Sequence, residues 1–373
     1  MPGSVSPHVR IGLIGCGVIA QVMHLHYLTE LSDLFEIAAV CDVSLELAQA
    51  CADRYGVPVA TTDWQELLGL QIDAVMVLTP GSHAPIAIAA AEAGKHVFIE
   101  KPLAFSVAEG ETVVAAAARS GVTMLVGYNK RYDPAFERLQ AELETVPDIR
   151  LARVTTYESP FEPYVAHYPL LRGAPPAPSV LHALQKDTAD RLSAAIGSDA
   201  EIKRLYHAVL LDSMVHELNA IRALLGEPDR LDHADLGRHG ATLAMRFGEA
   251  RAVLTWIDLP GFARYGMEFA VFAPERRLKL TFPSPYLRNA AAEFADEHGV
   301  PGRTESTANQ HVFSYESSFK AELVHFHGCI TRGDAPRTPP ADALRDIAFC
   351  RAIIEAHLSG RPVIAPTRIG DAA

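Results

Sequence analysis

The chain has 373 residues, 49% hydrophobic and 21% charged, with a formal net charge of −12. That balance describes a globular protein and excludes a disordered one, and the length suits two domains better than one core. Excess acid without a Lys/Arg block excludes a phosphate-tracking nucleic-acid surface. No apolar run is long enough to span a bilayer, and MPGSVSPHVR lacks the apolar centre of a secretion signal. The five cysteines (Cys16, Cys41, Cys51, Cys329 and Cys350) are odd in number and form no CxxC. Free thiols and a cytoplasmic location are therefore expected.

Through residues 1–130, short apolar runs alternate with helical patterns. RIGLIG (10–15), EIAAVC (36–41), DAVMVL (73–78), HVFIE (96–100) and TMLVG (123–127) predict strands buried on both faces. Helices are predicted over 18–31, 45–55, 83–94 and 106–119. Ser44 and Ser106 are their N-cap candidates, and Gly56, Gly94 and Gly121 stand where helices stop. The alternation predicts an α/β Rossmann domain with a doubly wound parallel sheet.

Residues 131–373 read differently. A strand is predicted at 150–159, a proline-rich loop at 160–180, and helices at 181–195 and 201–225. Strand patterns follow at 241–248, 250–258, 266–274 and 276–283, and two helices close the chain near 317–332 and 340–359. No element is predicted over 284–312. The expectation is an α+β domain with a predominantly antiparallel open sheet, enlarged near 160–207.

GCGVIA (15–20) follows the first strand and opens the first helix as G-x-G-x-x-A. A glycine-rich turn alone is often only a turn, but here strand and helix flank it in the required order. Gly15 would allow the tight turn, and Gly17 would admit a pyrophosphate to the backbone. Ala20 would let the helix pack closely, and the helix start, with Val18 and Ile19, would hold the anion. Asp42 ends the second strand, a little beyond the usual spacing of about 20 residues. It would accept from a ribose 2′-OH and repel a 2′-phosphate, and no arginine follows in CDVSLE. NAD is thus expected over NADP.

The carboxyl ends of parallel strands line the ligand crevice of such sheets. Glu100 and Lys101 end HVFIE, Thr79 and Pro80 end DAVMVL, and Asn129 follows TMLVG. A crevice explains a charged pair after a buried run. Taken together, GCGVIA, TPGSHAPIAIAAAEAGKHVFIEKPLA (79–104) and GYNKRYDP (127–134) resemble the Gfo/Idh/MocA family of NAD(P)-dependent oxidoreductases. The resemblance implies a Lys-Pro peptide that is commonly cis, and cofactor contacts from Thr79, Pro80, His83, Glu100, Lys101 and Asn129. It also implies that Lys101 polarises the reacting oxygen.

That family carries D-x-x-x-H at the start of a helix in its second domain, and LLDSMVHELNAIRALLG (210–226) supplies Asp212 and His216. Spacing of i and i+4 puts both on one face of an α-helix. A histidine tuned by an acid suits general acid–base work. The sequence departs from the family where His207–Leu211 continue a helical pattern in place of glycines, and where Asn219 replaces an acid. Tyr128 and Arg131 are weaker substrate-side candidates. His24 and His26, like His325 and His327, read as ordinary helix residues, and no metal site is expected.

The expected activity is hydride transfer between NAD and a secondary alcohol or ketone of a sugar, cyclitol or sugar derivative. Internal-redox glycoside cleavage or epimerisation with NAD regenerated, or a non-catalytic NAD-binding regulator, are the alternatives. The expected partners are a small carbohydrate and a second copy of the chain, as homodimer or homotetramer, with no nucleic acid and no membrane. The second domain would bind substrate and carry the oligomer contacts.

Overall fold

The computed structural model describes residues 8–364; residues 1–7 of the stretch read for a secretion signal lie outside them. Among the described residues, chain contacts form two compact units. The first comprises 8–128, Tyr168–Asp199 and Phe319–Ile347, and the second Asn129–His167, Ala200–Ser318 and 348–364. Among the described residues, no helix is long and apolar enough to cross a membrane.

The first unit is built on β1 (Val9–Ile14), β2 (Phe35–Cys41), β3 (Ala60–Thr61), β4 (Ala74–Val77), β5 (His96–Glu100) and β6 (Met124–Gly127). They pair in parallel in the order β3-β2-β1-β4-β5-β6. The apolar runs form central strands because helices cover both faces, and nearly every residue of β1, β4 and β6 is buried. Ser44 caps the helix Leu45–Tyr55 by accepting from the Leu47 N–H, and Ser106 caps Val107–Ser120 by accepting from Glu109 N–H. The sheet order reverses between β1 and its neighbours β2 and β4, which sets the ligand crevice at the end of β1.

Two later stretches complete this unit. Tyr168–Asp199 contains the helix Pro178–Ile196, and Phe319–Ile347 contains most of the helix Ser318–Thr331. Phe326 of the latter meets Phe98 of β5 edge-on at 5.8 Å. Thr338 closes the free edge of β6. Its carbonyl accepts from Val126 N–H at 2.8 Å, and its hydroxyl donates to the Val126 carbonyl at 2.6 Å.

The second unit is a nine-stranded sheet. Its strands are β7 (Leu151–Glu158), β8 (Arg230–Leu236), β9 (Gly240–Phe247), β10 (Ala250–Asp258), β11 (Gly266–Phe272), β12 (Arg276–Phe282), β13 (Glu293–Gly299), β14 (Ser306–His311) and β15 (Val363–Ile364). They lie in the order β14-β13-β12-β11-β7-β10-β9-β8-β15, antiparallel except for the parallel pair β7–β10. Alternate residues of β9 and β10 are buried, as expected for a sheet covered on one face. β13 and β14 occupy the stretch where the sequence predicts no element, and β14 is exposed along its whole length.

The helical pattern over 201–225 is not one α-helix. Leu205–Met214 is a π-helix that runs into the α-helix Val215–Leu225. The hydrophobic sequence LYHAVLL carries no mark of this, because a buried apolar run suits either helix. A π turn closes i→i+5 bonds, so the α-helical rule that i and i+4 share a face does not carry over unchanged to Asp212 and His216.

Candidate active site

In the first unit, the predicted cofactor residues gather at the carboxyl ends of β1, β2, β4 and β5. Gly15 holds φ +105°, and a Cβ there would lie 2.7 Å from the Leu78 carbonyl oxygen. Only glycine makes this turn without strain. Gly17 is exposed, with nothing within 4 Å of an added Cβ, so there is space against its backbone for a bound group. The Asp42 carboxylate is half-buried beside it. One oxygen accepts from Cys16 N–H at 2.9 Å and the other from Ser44 N–H at 2.9 Å. Each oxygen keeps a second lone pair for a ribose hydroxyl. An open glycine cradle with a fixed acid at its side fits NAD. Thr79 and Pro80 follow β4, half-buried and exposed respectively.

His83 and Glu100 stand behind this edge. Both ring nitrogens of His83 face carbonyl oxygens, Pro102 at 2.6 Å and Thr79 at 2.7 Å. Burial pushes its pKa down against those two carbonyls. His83 thereby ties the β4 loop to the Lys101–Pro102 segment, whose peptide is cis.

Glu100 is buried, not a solvated surface acid. One oxygen pairs with His24 Nε2 at 2.8 Å, and the other accepts from Lys101 N–H at 3.1 Å. Burial favours the neutral acid, but the His24 bond, with the charges of His24, Lys101 and His83, holds its pKa below the usual value. His24 is therefore not an ordinary helix residue. It is fully buried, with Phe98 and Phe319 edge-on at 5.3 and 5.7 Å. Its pairing with an acid far along the chain leaves no local sequence signal. Glu322 is a second buried acid in this unit. Neither of its oxygens has a hydrogen-bond partner, and burial together with the Glu100 charge raises its pKa well above normal. Tyr128 is also buried in this unit, at 1% exposure.

The remaining candidates belong to the second unit. Asn129 is buried and donates to Ser318 Oγ at 3.1 Å. Arg131 donates to Asn219 Oδ1 at 3.2 Å, so the residue that departs from the family pattern is engaged by a cation. Asp212 is exposed near the end of the π-helix, and His216 is half-buried in the first turn of the α-helix. Their helix is fixed to the sheet by polar contacts. Ser213 donates to Glu158 at 2.9 Å and accepts from Trp256 Nε1 at 2.8 Å. Glu217 accepts from Thr156 Oγ1 at 2.5 Å. Burial pushes the Glu217 pKa up to about 7, and its second oxygen has no partner. Sequence reading missed Glu217, since an acid beside a histidine on a helix reads as a solvated pair.

Residues 9–128 match the Gfo/Idh/MocA model, an oxidoreductase family with an NAD-binding Rossmann fold. The chain is 35% identical over 142 residues to the uncharacterized oxidoreductase YrbE of Bacillus subtilis (strain 168), covering 38% of this chain and 41% of that relative. This match thus spans about two-fifths of the relative's length. A longer match, 25% identical over 356 residues, is to the myo-inositol 2-dehydrogenase of Thermotoga maritima and covers 90% of this chain and 92% of that one. A levoglucosan dehydrogenase solved in complex with NADH and levoglucosan shares the fold, with a TM-score of 0.76 at 21% identity over 96% of this chain and 100% of that one. Residues 9–128 thus match the NAD-binding Rossmann fold of the Gfo/Idh/MocA oxidoreductases.

Proposed function

We propose that the protein is an NAD-dependent dehydrogenase acting on a secondary alcohol or ketone of a sugar, cyclitol or sugar derivative. The observation that carries this reading is Lys101, placed directly after the buried Glu100–His24 pair at the end of β5. Names of relatives, an inositol dehydrogenase and a levoglucosan dehydrogenase, support the substrate class. Bound NAD would supply the hydride acceptor. The glycine loop Gly15–Ala20 and Asp42 bind it, with Thr79, Pro80, His83, Glu100 and Asn129 shaping the surroundings. Lys101 stabilises the alkoxide as the hydroxyl ionises. His216 takes the hydroxyl proton, and Asp212 orients and tunes His216. Arg131 and Tyr128 are secondary substrate-side residues. The same reading places a homodimer or homotetramer in the cytoplasm, in keeping with five free, buried cysteines.

The test incubates the protein with NAD and a panel of inositols, hexoses, uronates and anhydrosugars, following reduced nicotinamide and product in one sample. Lys101→Ala and His216→Ala should each lower kcat by about 10²–10⁴-fold while NADH affinity stays within a few-fold. Equal losses of affinity and turnover would assign both residues to cofactor binding. Product without reduced nicotinamide would replace the dehydrogenase with an internal redox reaction.

A further inference from the structure

Residues 168–199 have no part in the chemistry above, yet they group with the NAD-binding unit. Their attachment falls at two places. At the first, Leu171 N–H donates to Gln21 Oε1 at 2.8 Å, and Gln21 Nε2 donates to the carbonyls of Leu171 at 3.2 Å and Cys16 at 2.9 Å. One side chain thus ties the segment to the glycine loop itself. Arg54 donates to the Pro169 carbonyl at 2.6 Å, and Ala174 N–H donates to Glu46 at 2.8 Å. Gly173 presses on the start of the helix Leu45–Tyr55. A Cβ there would lie 2.4 Å from Ser44 Oγ and 2.7 Å from Leu47 N.

At the second place, Arg191 bridges Asp187 at 2.7 Å and Glu109 at 2.5 Å. Glu109 also accepts from Phe105 N–H at 3.1 Å, so this ion pair sits on the start of the helix Val107–Ser120. Nearby, a Cβ on Gly81 would lie 3.5 Å from Thr188 Oγ1.

The topology connects these places. The helix Leu45–Tyr55 follows β2, the Gly81 loop follows β4, and β1 stands between β2 and β4. A segment fixed at both crosses the carboxyl end of β1, where the glycine loop lies. Gly17 remains exposed with open space above it, so the crossing leaves room at the loop. We propose that residues 168–199 form a strap across the NAD groove, fixed at Gly173 and Arg191, and that NAD enters and leaves only when the strap detaches. The proposal rests on NAD binding and is independent of the sugar substrate.

Stopped-flow mixing of the full-length protein with NADH, read by nicotinamide fluorescence without sugar, tests it. In the wild-type protein, the observed association rate should level off as NADH rises, at the opening rate of the strap. Release into excess NAD should be slow. Gly173→Val, which pushes one end off Ser44, and Arg191→Ala, which cuts the ion pair at the other, should each speed release by about tenfold or more, 1.4 kcal/mol of strap attachment. Both should also restore an association rate that stays linear in NADH. Arg191 lies on a largely exposed helix, so its variant keeps the fold even if Gly173→Val does not. A linear rate in the wild type, or release unchanged in the folded Arg191→Ala protein, would overturn the strap. A complete lack of NADH binding would overturn the cofactor reading as well. A missing sugar activity alone would touch only the proposed function.

Discussion

Glu217 gives the most direct check on the packing of the helix that carries His216. Its carboxyl is enclosed between that helix and β7, with one oxygen bonded to Thr156 and the other without a partner. Burial raises its pKa from 4.5 to about 7. The folded state therefore holds this proton more tightly than the unfolded chain. Below about pH 4.5 both states are protonated, and the stabilisation is fully present. As pH rises towards 7 the unfolded chain releases its proton first, so stability falls; above about 7 the loss is complete. At 1.36 kcal/mol per pKa unit, the loss is on the order of 3 kcal/mol. Glu217→Gln keeps an acceptor for Thr156 and cannot ionise. Urea unfolding at about pH 5 and about pH 8 measures the effect. Between these conditions the wild type should lose on the order of 3 kcal/mol relative to Glu217→Gln. Parallel pH dependence in the two proteins would refute the argument, because the carboxyl would then be hydrated in the folded state.

Removing the Asp42 carboxylate by Asp42→Ala should weaken NAD binding by about tenfold or more, since hydrogen bonds to a charged acceptor are worth about 1.5–3 kcal/mol. Titration calorimetry should find NADP binding much less affected, and equal losses for both would remove Asp42 from the ribose. His24→Leu leaves Glu100 buried without its ring partner. Breaking a buried pair costs about 3–5 kcal/mol, visible as a lower urea midpoint. A midpoint unchanged from wild type would mean that Glu100 is neutral or solvated.

Strands β1, β2, β4, β5 and β6 are legible because they are largely buried and so appear as apolar runs, whereas β3, the two residues Ala60–Thr61, carries no such run and is not. Gly15, Gly17 and Asp42 are legible because a strand–turn–helix order restricts what they can do. β13 and β14 are not legible. EFADEHG and STANQH lie at one side of the open sheet, where little burial imposes alternation. His24, Glu217 and Glu322 escape for another reason. Each is a polar residue whose partner or enclosure comes from distant chain, and no local spacing records that. The π-helix before His216 escapes because its apolar residues are all compatible with an α-helix. The attachment of 168–199 to the NAD-binding unit depends on backbone carbonyls and a glycine as much as on side chains, and backbone groups leave no compositional trace.

The closure of β6 by Thr338 has a consequence for biosynthesis. Strands β1 to β6 leave the ribosome well before the residues that pair Val126 on the β6 edge and shield Phe98, Thr338 lying 212 residues after Val126. A nascent Rossmann sheet therefore waits for that stretch with the Val126 backbone groups unpaired and part of its aromatic core uncovered. Exposed edges and apolar surface of this kind invite misassociation. Removing the Phe319–Ile347 stretch would therefore be expected to damage the parallel sheet made by strands β1 to β6, although the two are far apart in sequence.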